Sequence, residues 1–492
     1  MLISLLLIAI ATAGGLPVTY LVDDDAPLMW RLAAGNIIGC AILGTIAFVL
    51  ALAFGFSVVT VMAAAVITLI TLLAFRQMAM RRKLRDDWLK AKSRSQGTSG
   101  KKLLRFAYYT FFFLLFFFFF DRAMLESPAG IFTGGSQNLG DLPFHLGAIF
   151  SFTEANNFPP VNPSFAGARF SYPFIADLLT ACAVKLGASV RDALFIQNLL
   201  WAFSLLVVVE RFVLKLTNDR LASRIAPALL FFSGGLGFLW FFSDYWAQGK
   251  SLFEFLNALP KDYTISNQFR WGNSMVVLFM TQRSLLHGMP LTLIVLGYLW
   301  KAFATEHKEK ATNLLGYTTP FLVGLMAGVL PLIHLHSLVV LFLIGVAIFI
   351  LRPERWMTWV AFAIGVALIA VPELAWSMSG SASQTSKFFE WHFGWDKGDK
   401  NFLWFWYVNT GLVIPLLVAG LYLAWSHQVV PAQDRKTKKK EENVESSLPA
   451  HIAPLIFFYI PCAFLFVVSN AAKLAPWEWD NIKVLIYWFV GS

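Results

Sequence analysis

Long apolar runs alternate with short polar interruptions along the whole chain. A helix of about 20 apolar residues crosses the hydrocarbon layer of a bilayer. Runs of that kind fall near 2–21, 33–54, 56–75, 104–120, 192–213, 225–243, 275–300, 314–332, 336–351, 357–376, 403–425, 452–470 and from 482 onward. The pattern predicts an all-α polytopic membrane protein of about 12–13 transmembrane helices. The last run reaches Ser492 with no polar flank, so a C-terminal part is expected beyond it. The opening MLISLLLIAI has no basic residue before its apolar run and reads as a first span rather than a secretory signal. The apolar piece YPFIADLLTACAVKLG, near 172–187, is too short to cross. It reads as an interfacial or half-inserted helix.

Composition agrees. Of 492 residues, 58% are hydrophobic and 14% charged, against about 25% charged in soluble domains. Cys40, Cys182 and Cys462 all sit in apolar runs, which suggests neither a disulfide framework nor a zinc site. The net charge of +10 is held in loops, and basic loops mark the cytoplasmic side. The segment 76–105 carries eleven basic and two acidic residues. Threading from there places Arg211, Lys215, Arg220, Arg224, Lys301, Lys308, Lys310, Arg352, Arg355 and 434–440 on the same side. That distribution makes nucleic acid an unneeded partner. It divides the chain into N-terminal helices 1–75 of unassigned role, a basic cytoplasmic loop 76–105, and a region 106–492 whose first long outward loop is 121–190. The other outward segments are 244–274, 377–402, 471–481 and a turn at His334. The expected location is the plasma (inner) membrane with the site on the extracytoplasmic side. No fixed repeat and no pair of interrupted helices is visible.

The outward segments hold the candidate chemistry. In GDLPFHLGAIF, Asp141 and His145 are four residues apart and share a helix face. Asp141 ahead of Pro143 reads either as a helix N-cap or as a carboxylate that takes a proton or holds a metal. Asp121 and Glu126, with Arg122 beside them, read as interfacial polar groups. In MTQRSLLHGMP, Gln282, Arg283 and His287 lie about two to three turns inside a span that begins near 275. An arginine at that depth faces protein or water, or snorkels to the surface. The pair His334 and His336 sits at the outer turn. Lys473, Trp477, Glu478, Asp480, Asn481 and Lys483 crowd the start of the last span, where an aromatic and lysine belt is the plainer reading. Arg169 and Tyr172 in the first outward loop join the substrate-binding candidates. Trp391, Trp395, Trp404 and Trp406 form either an interfacial belt or faces on which sugars stack.

The order FFFFFDRAMLESP, GDLPFHLGAIFSF, NNFPP, YPFIADLLTA, TQRSLLHGMP, IHLHS and PWEWDNIK resembles the GT-C superfamily of polytopic glycosyltransferases over about 104–490. The resemblance implies inverting sugar transfer from a polyprenyl-phosphate donor to a glycan, lipid or protein acceptor. Asp141 matches the catalytic carboxylate of the first outward loop, with His145 beside it. Arg283, His336, Lys473 and Lys483 would hold the lipid phosphate. His334, His287, Gln282, Tyr172, Arg169, Trp477, Glu478, Asp480 and Asn481 would line the substrate site. Many members carry two neighbouring acids in that loop. Here Asp141 stands between Gly140 and Leu142, so no cofactor is fixed and a divalent metal stays possible. The competing classes are a transporter or flippase for an anionic or lipid-linked solute, and a scaffold of a membrane complex.

Overall fold

The computed structural model describes residues 1–95, 100–165, 167–263, 265–267, 269–304, 314–379, 389–429 and 452–492. The chain is almost wholly helical. Among the described residues six helices are long and apolar enough to cross a membrane: Leu2–Val22, Leu28–Phe54, Val58–Arg76, Lys102–Ala123, Leu330–Leu351 and Pro353–Met378. A seventh crossing is counted if Phe402–Thr410 and Val413–Leu423, bent by 95°, form one. This is the pattern of a multi-pass membrane protein.

The first layer is α1 (Leu2–Val22), α2 (Leu28–Phe54) and α3 (Val58–Leu69), extended by a 3-10 turn to Arg76. Small residues let α1 and α2 touch backbone to backbone. A Cβ on Gly39 would lie 1.7 Å from the Ala11 carbonyl oxygen, the close approach typical of membrane helix pairs. A polar helix α4 (Met78–Ser95) precedes α5 (Gly100–Ala123).

One end of the bundle gathers charge. Asp23, almost fully buried, meets Arg211 at 2.9 Å and Lys215 at 3.1 Å. Burial opposes its charge, but the two cations prevail and hold its carboxyl below the usual range. Asp24 meets Lys83 and Lys301, and Arg31 meets Asp87 at 2.7 Å. Three segments read as lying on one side therefore do meet: 76–105, 211–215 and 301. Lys308, Lys310 and 434–440 lie outside the described residues. At the opposite end the N-terminal amine pairs with Asp192.

After α5 a short hairpin, β1 (Met124–Ser127) with β2 (Gly130–Thr133), leads to α6 (Asp141–Thr153) and α7 (Ile175–Lys185). At 11 residues α7 is too short to cross. It is not interfacial, however: every residue from Ile175 to Ala183 is buried between α6, α2 and α8 (Val190–Thr217).

Several apolar runs are broken. The run near 225–243 splits into α9 (Arg220–Phe231) and α10 (Gly237–Gln248), and α11 (Leu252–Asn257) follows. A π turn over Met275–Phe279 leads to α12 (Arg283–Ala304), with Gln282 non-helical between them. Past α13 (Thr318–Gly328), His334 is the one residue outside helical geometry in α14 (Leu330–Leu351), which falls where the outer turn is expected. The bundle continues through α15 (Trp356–Met378), α16 (Phe402–Thr410), α17 (Val413–Val429), α18 (Ile452–Ala471) and α19 (Ile482–Gly491). Gly411, with φ +57°, makes the sharp bend between α16 and α17. A second short pair, β3 (Glu390–Trp391) on β4 (Ala472–Lys473), ties the loops before α16 and after α18.

Candidate functional site

The site is built on the break ahead of α12. The amide N–H groups of Leu285 and Leu286 turn to the Gln282 carbonyl. The Thr281 carbonyl is thus released from the helix ladder, shortly after the π turn at Met275–Phe279, and π turns recur at functional positions. Helix α6 docks on that break through two side chains.

Asp141 is the first helical residue, not the cap. Gly140 occupies the cap position, and no side-chain cap bond is made. Instead Asp141 Oδ1 accepts from Gln282 Nε2 at 2.9 Å, while the Tyr172 hydroxyl donates to Gln282 Oε1 at 3.3 Å. Among the described residues Asp141 forms no other hydrogen bond. Burial pushes its carboxyl above the usual range. The charges of His145 and Lys483 oppose that rise and Asp480 adds to it. Burial likewise pushes the Tyr172 phenol up.

His145 diverges from Asp141 into the interior. Its Nδ1 lies 2.8 Å from Asp177 Oδ2 and its Nε2 3.1 Å from the Thr281 carbonyl oxygen. Both neighbours are acceptors, so the ring satisfies both only with a hydrogen on each nitrogen. Asp177 also accepts from Arg283 Nη1 at 2.7 Å. Arg283 spends its other donors on Asn198 at 3.1 Å and Thr180 at 2.6 Å. The result is a buried network that locks α7, α8 and α12 together and seats α6 on them. A cleft of about 420 Å³, open space included, runs behind α6 beside His145, Asn138, Asn198 and Arg283.

These contacts correct several expected roles. His145 is 2% exposed with both nitrogens engaged, so it positions α6 and does not share a substrate with Asp141. Arg283, equally buried, is held by protein and is no phosphate ligand. His287 is fully buried, donates to the Ile37 carbonyl and stacks on Trp201. Asn481 is spent on the backbone of Ser469, Ala472 and Leu474, where it shapes the turn after α18. Glu478 accepts from the Asp396 amide and meets His392. Arg169 reaches Ser379 and lies over the Trp376 ring at the end of α15. Trp395 and Trp406 are buried, which leaves Trp391 and Trp404 as exposed faces of the aromatic loop. Asp121 pairs with Arg191 rather than with its neighbour Arg122.

Other candidates stay near Asp141 or at the rim. Lys483 is 8% exposed and meets Asp480 at 3.1 Å. The charge of this pair reaches Asp141. His334 and His336 stand 5.5 Å apart between ring centres, and His334 Nδ1 is held by Ser337. Lys473 pairs with Glu390, and Trp477 is 74% exposed. Among the described residues no group of three or more His, Cys, Asp or Glu is placed to hold a metal. Asp480, whose charge reaches Asp141, is paired with Lys483.

Sequence reasoning passes over three members of the network, Asp177, Thr180 and Asn198, and Asp177 is the charged one. Its signal is present: a lone acid inside an apolar run, which in a membrane protein calls for a partner. No family model, no curated protein and no solved structure matches this chain.

Proposed function

We propose that the chain is a GT-C-type membrane glycosyltransferase that moves a sugar from a polyprenyl-phosphate donor to an acceptor hydroxyl with inversion. The observation that carries this reading is Asp141. Its carboxylate caps no helix and is oriented at one oxygen by Gln282, itself held by Tyr172. A carboxyl raised by burial is a better base than an ordinary aspartate. In the proposed step the acceptor oxygen attacks C1 opposite the phosphate and its proton passes to Asp141. The C1–O bond breaks with its electron pair on the phosphate. Lys483, with His336 behind it, is the cation assigned to that developing charge. The Asp177–Arg283–His145 network keeps α6 in register with Gln282. The finer architecture belongs to the same proposal: about 12–13 spans, an inner-membrane location, and Asp141 on the extracytoplasmic side opposite the basic segment 76–105.

The test is sugar transfer in proteoliposomes with a panel of polyprenyl-phosphate sugars, wild type beside Asp141→Asn. Turnover lost in the variant while the protein stays folded supports the reading. Equal turnover removes Asp141 from the chemistry. A transporter or flippase is favoured by one finding, the helix interruptions at Gln282 and His334, since broken helices recur at transport sites. It requires movement of an intact lipid-linked or anionic solute across the vesicle wall with no sugar transferred.

A further inference from the structure

Helix α4 lies outside the proposed chemistry, yet it is firmly docked. Its contact stripe is Met80, Leu84, Asp87 and Ala91, spaced i, i+4, i+7, i+11 and half-buried. Asp87 is the anchor. It pairs with Arg31, which is 1% exposed and also donates to the carbonyls of Thr19, Asp23 and Asp24 at the end of α1. Lys83 adds a contact to Asp24.

One residue further on, about 100° around the helix, runs a second stripe: Arg81, Arg85, Trp88 and Lys92, all exposed. Arg82, Met78 and Leu89 flank it, with Met78 67%, Trp88 62% and Leu89 50% exposed. The Arg81–Arg85–Trp88–Lys92 stripe itself holds no acid. Asp87 is turned inward to Arg31, and Asp86 borders the far edge beside Arg82 and Leu89, four residues after the one and three before the other. The helix starts two residues after the apolar span that ends at Arg76. Arginines interleaved with tryptophan and leucine, at the end of a membrane-crossing helix, match phosphate headgroups over the upper acyl chains. An acidic protein partner would satisfy the charge but leave the three apolar side chains without a reason.

We infer that α4 is an anionic-phospholipid-binding helix, wedged between the end of the bundle and the membrane surface, with its Arg81–Arg85–Trp88 face against the headgroups. The first three helices gain a role by this: through Arg31 they hold α4 at the height where that face meets lipid. The inference does not depend on the glycosyltransferase reading.

The native cysteines are all buried, so Leu89→Cys can carry an environment-sensitive fluorophore in the full chain. The labelled protein goes into nanodiscs of phosphatidylcholine with a rising share of phosphatidylglycerol. The expected result is a blue shift that grows with the anionic fraction, is quenched by brominated lipid, and reverses in high salt. Arg82→Gln with Arg85→Gln should flatten that response. Neither residue takes part in the Arg31–Asp87 or Lys83–Asp24 pairs, so the double variant should keep the wild-type unfolding midpoint in detergent. Emission blind to the anionic lipid overturns the inference. So does a wild-type response in the double variant.

Discussion

If Asp141 is the proposed base, chemical and structural work separate within a single carboxylate. Burial holds its proton more tightly in the folded protein than in the unfolded chain. A raised carboxyl favours folding at low pH, and that contribution is lost as pH rises through the folded value. At neutral pH the ionised group is therefore a small cost to folding. Asparagine keeps an oxygen able to accept from Gln282 and carries no charge. Asp141→Asn should hold or raise the thermal midpoint at pH 7 while turnover falls on the order of 10²–10⁴-fold. A clearly lowered midpoint would make the carboxylate structural. In the wild type, the acidic limb of the pH–rate profile should have its midpoint above the ordinary aspartate value of about 3.9, since the base acts only when ionised. A limb at or below that value would contradict a buried base. Asp141 was legible as a candidate from its place in the sequence. Its release from capping was not, because Asp before Leu-Pro fits either a cap or a first-turn residue, and only the backbone at Gly140 decides.

At the scale of elements, the Asp177–Arg283 pair decides whether α6 and α7 stay seated. Removing one partner of a buried ion pair leaves an uncompensated charge and costs about 3–5 kcal/mol. Asp177→Ala and Arg283→Met should each destabilise by that order. The double variant should cost distinctly less than their sum, read from unfolding midpoints in detergent as a double-mutant cycle. Additive losses would mean that the pair does not act as one unit. The same network explains what sequence left out. Arg283 was readable as a buried arginine in need of company, but periodicity within one helix cannot name a partner from α7, 106 residues away. His145 misled for a related reason. Sharing a face with Asp141 fixes where its Cα lies, and the ring still rotates inward once Asp177 and the freed Thr281 carbonyl offer acceptors there. Helix breaks were hidden too. The apolar run through 275–300 reads as one span, yet it breaks where α6 supplies a donor, His145, to the Thr281 carbonyl and an acceptor, Asp141, to the Gln282 side chain.

For the whole molecule, charge asymmetry supplies what hydropathy cannot. Hydropathy counts spans poorly here, since the run near 225–243 folds as two pieces. Basic loops carry a sign as well as a position, and segments far apart in sequence converge on Asp23 and Asp24 at one end. Asp141, in contrast, stands at the start of α6, just beyond the hairpin that follows α5, so a crossing helix separates it from α4. Positive loops stay on the cytoplasmic side during insertion, so the proposed topology has Lys83 inside and the aromatic strand β3 outside. Single cysteines at Lys83 and Trp391 test this directly, because both positions are exposed and the native cysteines are buried. A membrane-impermeant maleimide on intact cells should label the cysteine at 391 and reach the one at 83 only after lysis. The reverse pattern would invert the protein and move Asp141 to the cytoplasm, where a nucleotide-sugar would replace a lipid-linked donor as the sugar source to test. Labelling of both from outside would break the single threading on which the positions of α4 and Asp141 at opposite ends depend.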